Sequence, residues 1–272
     1  MNPTRTISMI SPSLRALLAR LGPMALMPLL GLVTLAPVNA WTPAMHVEIA
    51  RQAAMIAPPD LLRQIRRHEK AFAAGLSASL AGRSHSDSGG ALLSRVRSGS
   101  KAIVGAIERH QPFPEIVREL GRLAVYTAEA NNPLKHSADD PQEAGYRTDY
   151  ENYVGSAFPR FQVVFYGQGR DVRTEAALTR LLSETGRRSA DLYPLLGHEY
   201  RRIGLIDGAI RGAIDAKDRF DDKSTAFGVG SIVFSHAVSD LAAIYRYVWL
   251  RAGGADQREL PITLPLGGVL ER

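Results

Sequence analysis

The sequence predicts an all-α fold, organised as a compact single-domain helical bundle, from three observations. Apolar residues recur at i, i+3, i+4 and i+7 along most of the chain, and the alternating runs that indicate strands are few. Several prolines stand near expected helix starts, where a missing N–H costs nothing. The 272 residues contain no internal repeat and no linker long enough to divide them into domains.

Six stretches carry this helical spacing. In chain order they are 45–56 after Pro43, 59–72 beginning at Pro59, 90–110, 114–130 beginning at Pro114, 175–196 and 230–253. Stretches rich in Gly, Pro, Ser, Asn and Asp separate several of them and predict loops, because these residues favour turns. The predicted loops are 82–90, 131–147 and 166–171, and residues 253–272 are predicted to form a loosely attached tail.

The first 40 residues have the composition of a secretory signal peptide. They contain three basic residues and no acidic one: Arg5, Arg15 and Arg20. An apolar run, 24–36, follows and leads to Val38-Asn39-Ala40, a small-x-small cleavage site. Spanning a bilayer takes about 20 apolar residues, so the run is too short, and a retained signal anchor is the alternative. Cleavage after Ala40 would make Trp41 the mature N-terminus, leave 41–252 as the helical domain and place the protein in the periplasm or outside the cell.

Removing this segment also changes the charge balance. The whole chain has 33 Lys and Arg against 27 Asp and Glu, and loss of the three signal arginines leaves 30 against 27. The arginines are spread at helical spacing rather than gathered in a block, which favours solvated helix faces over a nucleic-acid groove. The chain has no cysteine, so thiol chemistry and disulfides are excluded.

Trp41 is the most informative residue in this interpretation. A terminal amine, together with the carbonyl oxygen of the same residue, can close a chelate ring on a metal ion. His46 follows five residues later, at the start of the first predicted helix, where its imidazole could reach the same ion. The structural alternatives are a hydrophobic plug for Trp41 and a hydrogen-bonded histidine at a helix start for His46.

Two further blocks accompany Trp41 and His46. "LGRLAVYTAEANNPLKHS" (120–137) matches the pattern Leu-Gly-x-x-x-His-Tyr-x-x-Asp-x-Asn-x-Pro-Leu/Met-His, and "GYRTDYENYV" (145–154) matches Gly-Phe-His-x-x-Tyr-Glu-Asn-Phe-Val. In order and spacing the blocks resemble the zinc-dependent bacterial phospholipases C and the single-strand nucleases that share their fold. The resemblance covers residues 41–252 and implies an all-α domain of the zinc-dependent phospholipase C type, with a trinuclear zinc cluster.

The resemblance implies ligands for two of the three ions, and one set is incomplete. Trp41, His46 and Glu129 would hold the ion at the N-terminus, with Glu129 in place of a bridging Asp. His85 would serve a second ion. Val125, however, stands where the family has a His, and Asp87 is a poor substitute for a missing Asp.

At the third ion the family's two His and one Glu fall on Lys135, Arg147 and Glu151. Two cations repel a metal dication, so Lys135 and Arg147 are expected to pair with Glu151 and to form a phosphate-binding pocket. His136 would rescue the ion only if the loop shifted by one residue. About five of about nine ligand positions hold a group that zinc accepts, so we expect fewer than three zinc ions.

Three functions remain open from the sequence. The first is a secreted metal-dependent phosphodiesterase that hydrolyses phospholipid headgroup esters, with zinc activating water. The second is a catalytically impaired pseudoenzyme that binds an anionic phosphate or headgroup. The third is a nuclease of the same fold, which is disfavoured because no aromatic stacking platform beside a basic groove is evident. The expected partners are a phospholipid or phosphoester and a membrane surface, rather than nucleic acid.

The remaining histidines are assigned no metal. His236 and Asp240 are spaced i, i+4 and could form a metal diad, but a hydrogen bond along one helix is the preferred interpretation. His68, His110 and His198 are predicted to be exposed helix positions.

Overall fold

A computed structural model describes residues 41–82, 87–137, 140–167, 173–204 and 220–255. Within these ranges the chain forms eight α-helices and three short 3-10 turns and contains no strand, which confirms the predicted all-α fold. The predicted signal segment, His85 and most of the predicted tail lie outside the described residues.

The helices are α1 (Pro43–Ile56), α2 (Pro59–Arg67), α3 (Glu69–Ala81), α4 (Gly89–Glu108), α5 (Phe113–Ala130), α6 (Arg147–Ala157), α7 (Glu175–Arg202) and α8 (Thr225–Arg251). The 3-10 turns are Pro133–His136, Glu143–Gly145 and Phe158–Arg160. Four helices begin after a hydroxyl side chain that accepts a hydrogen bond from a first-turn N–H. These N-caps are Thr42, Ser88, Thr174 and Ser224. The prolines predicted at helix starts lie in the first turns of α1, α2 and α5.

Two helices differ from the prediction. The stretch 59–72 divides at His68, whose φ of −117° and ψ of 34° interrupt the helix, and α3 then continues to Ala81. Helix α6 was not predicted from apolar spacing. Its residues Tyr150, Glu151 and Tyr153 are all buried, so a carboxylate interrupts the apolar stripe that normally indicates a helix.

Helix α8 is the core of the domain. It packs against α1, α5, α6 and α7, and almost every side chain from Val233 to Val248 is buried. By length and composition alone α8 could cross a membrane, but 72% of its most apolar window is buried inside the chain. That burial is the pattern of a core helix in a folded domain.

Helices α3 and α5 approach so closely that glycine is required on both sides. A Cβ at Gly75 would collide with the carbonyl oxygen of Arg118, and a Cβ at Gly121 would collide with that of Phe72. Because both obstacles are backbone atoms, they cannot move aside as a side chain could. This contact fixes the position of α5, whose C-terminal end carries Glu129.

We expect Gly121→Ala to lower the free energy of unfolding by about 1–3 kcal/mol, since an added methyl group overpacks the helix contact. Gly228→Ala in α8 is the matched control, because the space around its Cβ position is open. It should stabilise the protein by about 0.4–1 kcal/mol through the lower entropy of the unfolded chain. Urea unfolding of both variants measures the two effects, and changes of the same sign would contradict the close approach.

Candidate functional site

The structure gathers most of the predicted site residues around the start of α1. His46 lies in the first turn of α1 and Glu129 in the last turn of α5. Lys135 lies in the 3-10 turn that follows α5, and the pair Arg147 and Glu151 lies one turn apart on α6. These five residues and Glu143 are here called the polar cluster. Trp41 is 1% exposed, and its ring centroid lies 6.0 Å from that of His46.

The tautomer of His46 follows from its hydrogen bonds. Its Nδ1 lies 3.0 Å from the carbonyl oxygen of Thr42, and because a carbonyl only accepts, Nδ1 carries the proton. Its Nε2 lies 2.9 Å from Oε1 of Glu129. A lone pair on Nε2 facing a carboxylate oxygen requires a second proton or a cation. A backbone partner on the other ring nitrogen is the arrangement that orients metal-binding histidines.

This separation also suits a single ion. For metal–ligand distances of about 2.0–2.1 Å, two adjacent ligand atoms lie about 2.9–3.4 Å apart, depending on coordination angle. His46 Nε2 and Glu129 Oε1 therefore stand at a distance that two ligands of one ion adopt. The amine and carbonyl of a mature Trp41 would complete the set, and these are main-chain groups. The separation of these two side-chain atoms is compatible with one ion, and the main-chain ligands of Trp41 are those that the resemblance implies.

Lys135 and Arg147 occupy the rest of the polar cluster. Nζ of Lys135 lies 3.8 Å from Oε2 of Glu129, and burial lowers the pKa of this lysine against the attraction of that carboxylate. Arg147 pairs with Glu143 and, at 3.6 Å, with Glu151. The predicted salt-bridge cluster is therefore present, but Lys135 pairs with Glu129 rather than with Glu151.

Glu151 is the least compensated member of the polar cluster. Its side chain is buried, and neither carboxylate oxygen has a hydrogen-bond partner among the described residues. Burial raises its pKa to about 7, and the opposing pull of Arg147 is smaller. Glu143 also has a pKa raised by burial. The polar cluster thus contains three carboxyl groups and the two cations Lys135 and Arg147.

The sites for a second and a third ion do not fit. Val125 is fully buried and supplies no ligand atom. Asp87 forms a two-point ion pair with Arg95, and Nε2 of His136 bonds to the carbonyl oxygen of Ala130 at 2.9 Å. Within the described ranges no group of three or more His, Cys, Asp or Glu side chains could hold a metal ion. His85 lies outside those ranges.

Sequence reasoning missed Glu143, which lies in a predicted loop but is buried against Arg147. Its only signal was the i, i+4 spacing to Arg147, which is common among solvated pairs. Of the histidines assigned no metal, His198 is an exposed helix position, as predicted. His110 is exposed but lies in the turn after α4, and His68 is half-buried between α2 and α3.

The predicted hydrogen bond between His236 and Asp240 is wrong. The oxygens of Asp240 accept from Thr185 at 2.7 Å and from Arg188 at 2.8 and 2.9 Å, both on α7. His236 instead stacks on Tyr166, with ring centroids 4.4 Å apart. A buried carboxylate gains more from a charged partner on a neighbouring helix than from a neutral imidazole on its own.

His236 should make stability depend on pH. Burial, and to a smaller extent the charge of Arg188, lowers its pKa from 6.5 to about 4. Between pH 6.5 and 4 the unfolded chain binds a proton at His236 that the folded chain does not bind. The contribution of the neutral ring to stability is therefore present above pH 6.5 and is lost as pH falls towards 4. Because the ring is partly exposed, we expect a loss on the order of 1–2 kcal/mol. Urea unfolding from pH 7 to pH 4 should show a shallower decline for His236→Gln, and parallel curves would contradict this.

Comparisons with known protein families, with curated proteins and with solved structures find no match. Function is therefore inferred from the geometry of the site and from the motif resemblance.

Proposed function

We propose that this chain is an exported phospholipase-C-like protein that holds one zinc ion at its mature N-terminus and binds a phosphate or phosphoester beside it. It is a binding protein rather than a multinuclear hydrolase. The observation that supports this best is the position of the two cations. Lys135 and Arg147 lie among the carboxylates of the polar cluster, where the resemblance expects two histidine ligands.

The charge of the polar cluster makes anion binding depend on the metal. Without an ion the cluster carries three carboxylates against two cations, which disfavours a phosphate. A dication adds positive charge to the polar cluster and leaves Lys135 and Arg147 beside it, which favours a phosphate. Arg147 is the more accessible of the two cations, with 23% of its side chain exposed, and it suits phosphate because its N–H groups form a planar fork.

A one-metal phosphodiesterase acting on phospholipid headgroup esters is the second candidate, and Glu151 favours it. A carboxyl with a pKa of about 7 lies in the range of a general acid or base at neutral pH. A single zinc ion can activate a water molecule. The two candidates share the metal and the anion and differ only in turnover.

The test combines metal content, ligand binding and turnover on protein that begins at Trp41. We expect one zinc ion per chain by elemental analysis. Calorimetric titration with phosphocholine should show binding that a chelator abolishes, and incubation with p-nitrophenyl phosphocholine should release no nitrophenol. Arg147→Gln should weaken phosphocholine binding at least about tenfold, as expected when a charged hydrogen bond is lost.

Asp191→Asn is the matched control, since Asp191 pairs with the exposed Arg187 on α7 and not with the polar cluster. Its metal content and phosphocholine affinity should match those of the unaltered chain. Metal-dependent turnover would replace the binding protein with the second candidate. Two or three zinc ions, or phosphocholine binding that survives the chelator, would contradict the proposal.

A further inference from the structure

A cavity of about 350 Å³, separate from the polar cluster, lies between α7, α8 and the segment 161–167. Its lining includes no member of the polar cluster. The volume is at the lower end of the range for small-molecule sites. Six of its lining residues define its chemistry: Tyr166, Leu178, Leu181, Arg188, His236 and Ala243.

Two stacked aromatic rings line part of the cavity. The backbone N–H groups of Val164 and Tyr166 donate to Ser235 and Ser239, each at 3.1 Å, and so fasten the segment along α8. This attachment places the Tyr166 ring on His236 at an interplanar angle of 22°. Leu178, Leu181 and Ala243 provide apolar surface elsewhere in the lining.

Among the described lining residues, the acceptors of Asp240 are already used, whereas Arg188 keeps unused donors. Both oxygens of Asp240 already accept from Arg188, and Thr185 donates to one of them. Arg188 commits one nitrogen, Nη2, to Asp240, and a guanidinium has five N–H groups. Its Nε is buried and has no hydrogen-bond partner among the described residues, while 25% of the side chain remains exposed. The N–H groups of Arg188 that do not bond to Asp240 can therefore donate to a ligand that supplies acceptor atoms.

We propose that this cavity binds a small planar carboxylate, with its ring against Tyr166 and His236 and its carboxylate on Arg188. A carboxylate only accepts hydrogen bonds and matches the planar fork of a guanidinium. An organic cation would bring only donors to a guanidinium that itself only donates, and a neutral amide would bring one acceptor oxygen where a carboxylate brings two. At the rim, Arg180 and Glu184 carry opposite charges and add no net preference.

The test uses three benzene derivatives of similar size and different charge: benzoate, benzamide and benzylammonium. Each is titrated into the purified chain in the presence of a chelator, so that the polar cluster holds no metal. Calorimetry gives affinity, and the ring resonances of His236 report the site. Benzoate should bind at least about tenfold more tightly than benzamide. Benzylammonium should bind least.

Two variants separate this site from unspecific binding. Ala243→Leu should fill the cavity and lower benzoate affinity at least about tenfold, whereas Ala190→Leu, at an exposed position of α7, should not change it. Arg188→Gln combined with Asp240→Asn replaces the ion pair with a neutral pair and avoids an uncompensated buried charge. In that double variant the preference for benzoate over benzamide should disappear.

The proposal is overturned if benzoate does not bind to the folded chain at about 10 mM, a concentration above the millimolar limit of weak sites. It is also overturned if Ala243→Leu binds benzoate unchanged, or if the preference for benzoate persists in the double variant. None of these results bears on the metal site, because the polar cluster is empty of metal throughout.

Discussion

A chain extended by one residue ahead of Trp41 is expected to bind zinc at least about a hundredfold more weakly than the chain that begins at Trp41. Even the loss of an outer partner of a metal ligand costs about 10–100-fold in affinity. The extension removes a direct ligand, because it converts the terminal amine into an amide whose lone pair is delocalised. His46 and Glu129 would then be left as a two-residue site, which falls short of the four ligands that zinc normally takes.

The measurement is competition with a chromogenic chelator, made on three forms of the chain. These are the chain that begins at Trp41, the same chain with one added N-terminal Gly, and the same chain with one Gly added after Arg272. The C-terminal addition controls for an extension as such. His46→Ala should weaken zinc binding in the authentic chain. Equal affinities for the N-terminally extended and authentic chains would rule out the terminal chelate.

Helix spacing predicted most of the fold, and its failures have physical causes. Five of the six predicted segments coincide with helices. In these helices most apolar residues face the core, which is the pattern that apolar spacing detects. Helix α6 was not predicted because the buried Glu151 interrupts the apolar stripe that indicates a helix. The division at His68 depends on a single backbone conformation that no side-chain pattern signals.

The candidate site was predicted in part, and what could not be predicted are the tertiary contacts between its residues. The proximity of His46 and Glu129 was expected from the motif order, although 83 positions separate them. The pairing of Lys135 with Glu129, and the burial of Glu143, depend on how the 3-10 turns fold against α5 and α6. The contact of Arg188 with Asp240 joins α7 to α8. No sequence motif indicates which residues form these contacts, so they could not be predicted from the sequence.

In a chelator, where no metal contributes, Glu129→Ala is expected to lower the free energy of unfolding by about 3–5 kcal/mol. The Lys135 side chain is 4% exposed, and Glu129 is the first of the charges that hold its pKa up against burial. Removing the carboxylate takes away the largest attraction on this buried ammonium, while the weaker attraction of Glu151 and Asp87 and the repulsion of Arg147 remain. Oε1 of Glu129 is also the partner of His46 at 2.9 Å, so a second contact is lost.

The double variant Glu129→Gln with Lys135→Met distinguishes electrostatics from packing. The amide N–H of glutamine can donate to Nε2 of His46, and methionine keeps an unbranched side chain of similar volume without a charge. Replacing a buried ion pair by groups of similar shape is often neutral or stabilising, so the double variant should be clearly more stable than Glu129→Ala. Urea unfolding of the chain and its variants in chelator gives the comparison. If the double variant were as unstable as Glu129→Ala, packing rather than the uncompensated lysine would set the cost. If instead stability returns while zinc binding stays lost, the carboxylate is retained for the ion and not for the fold.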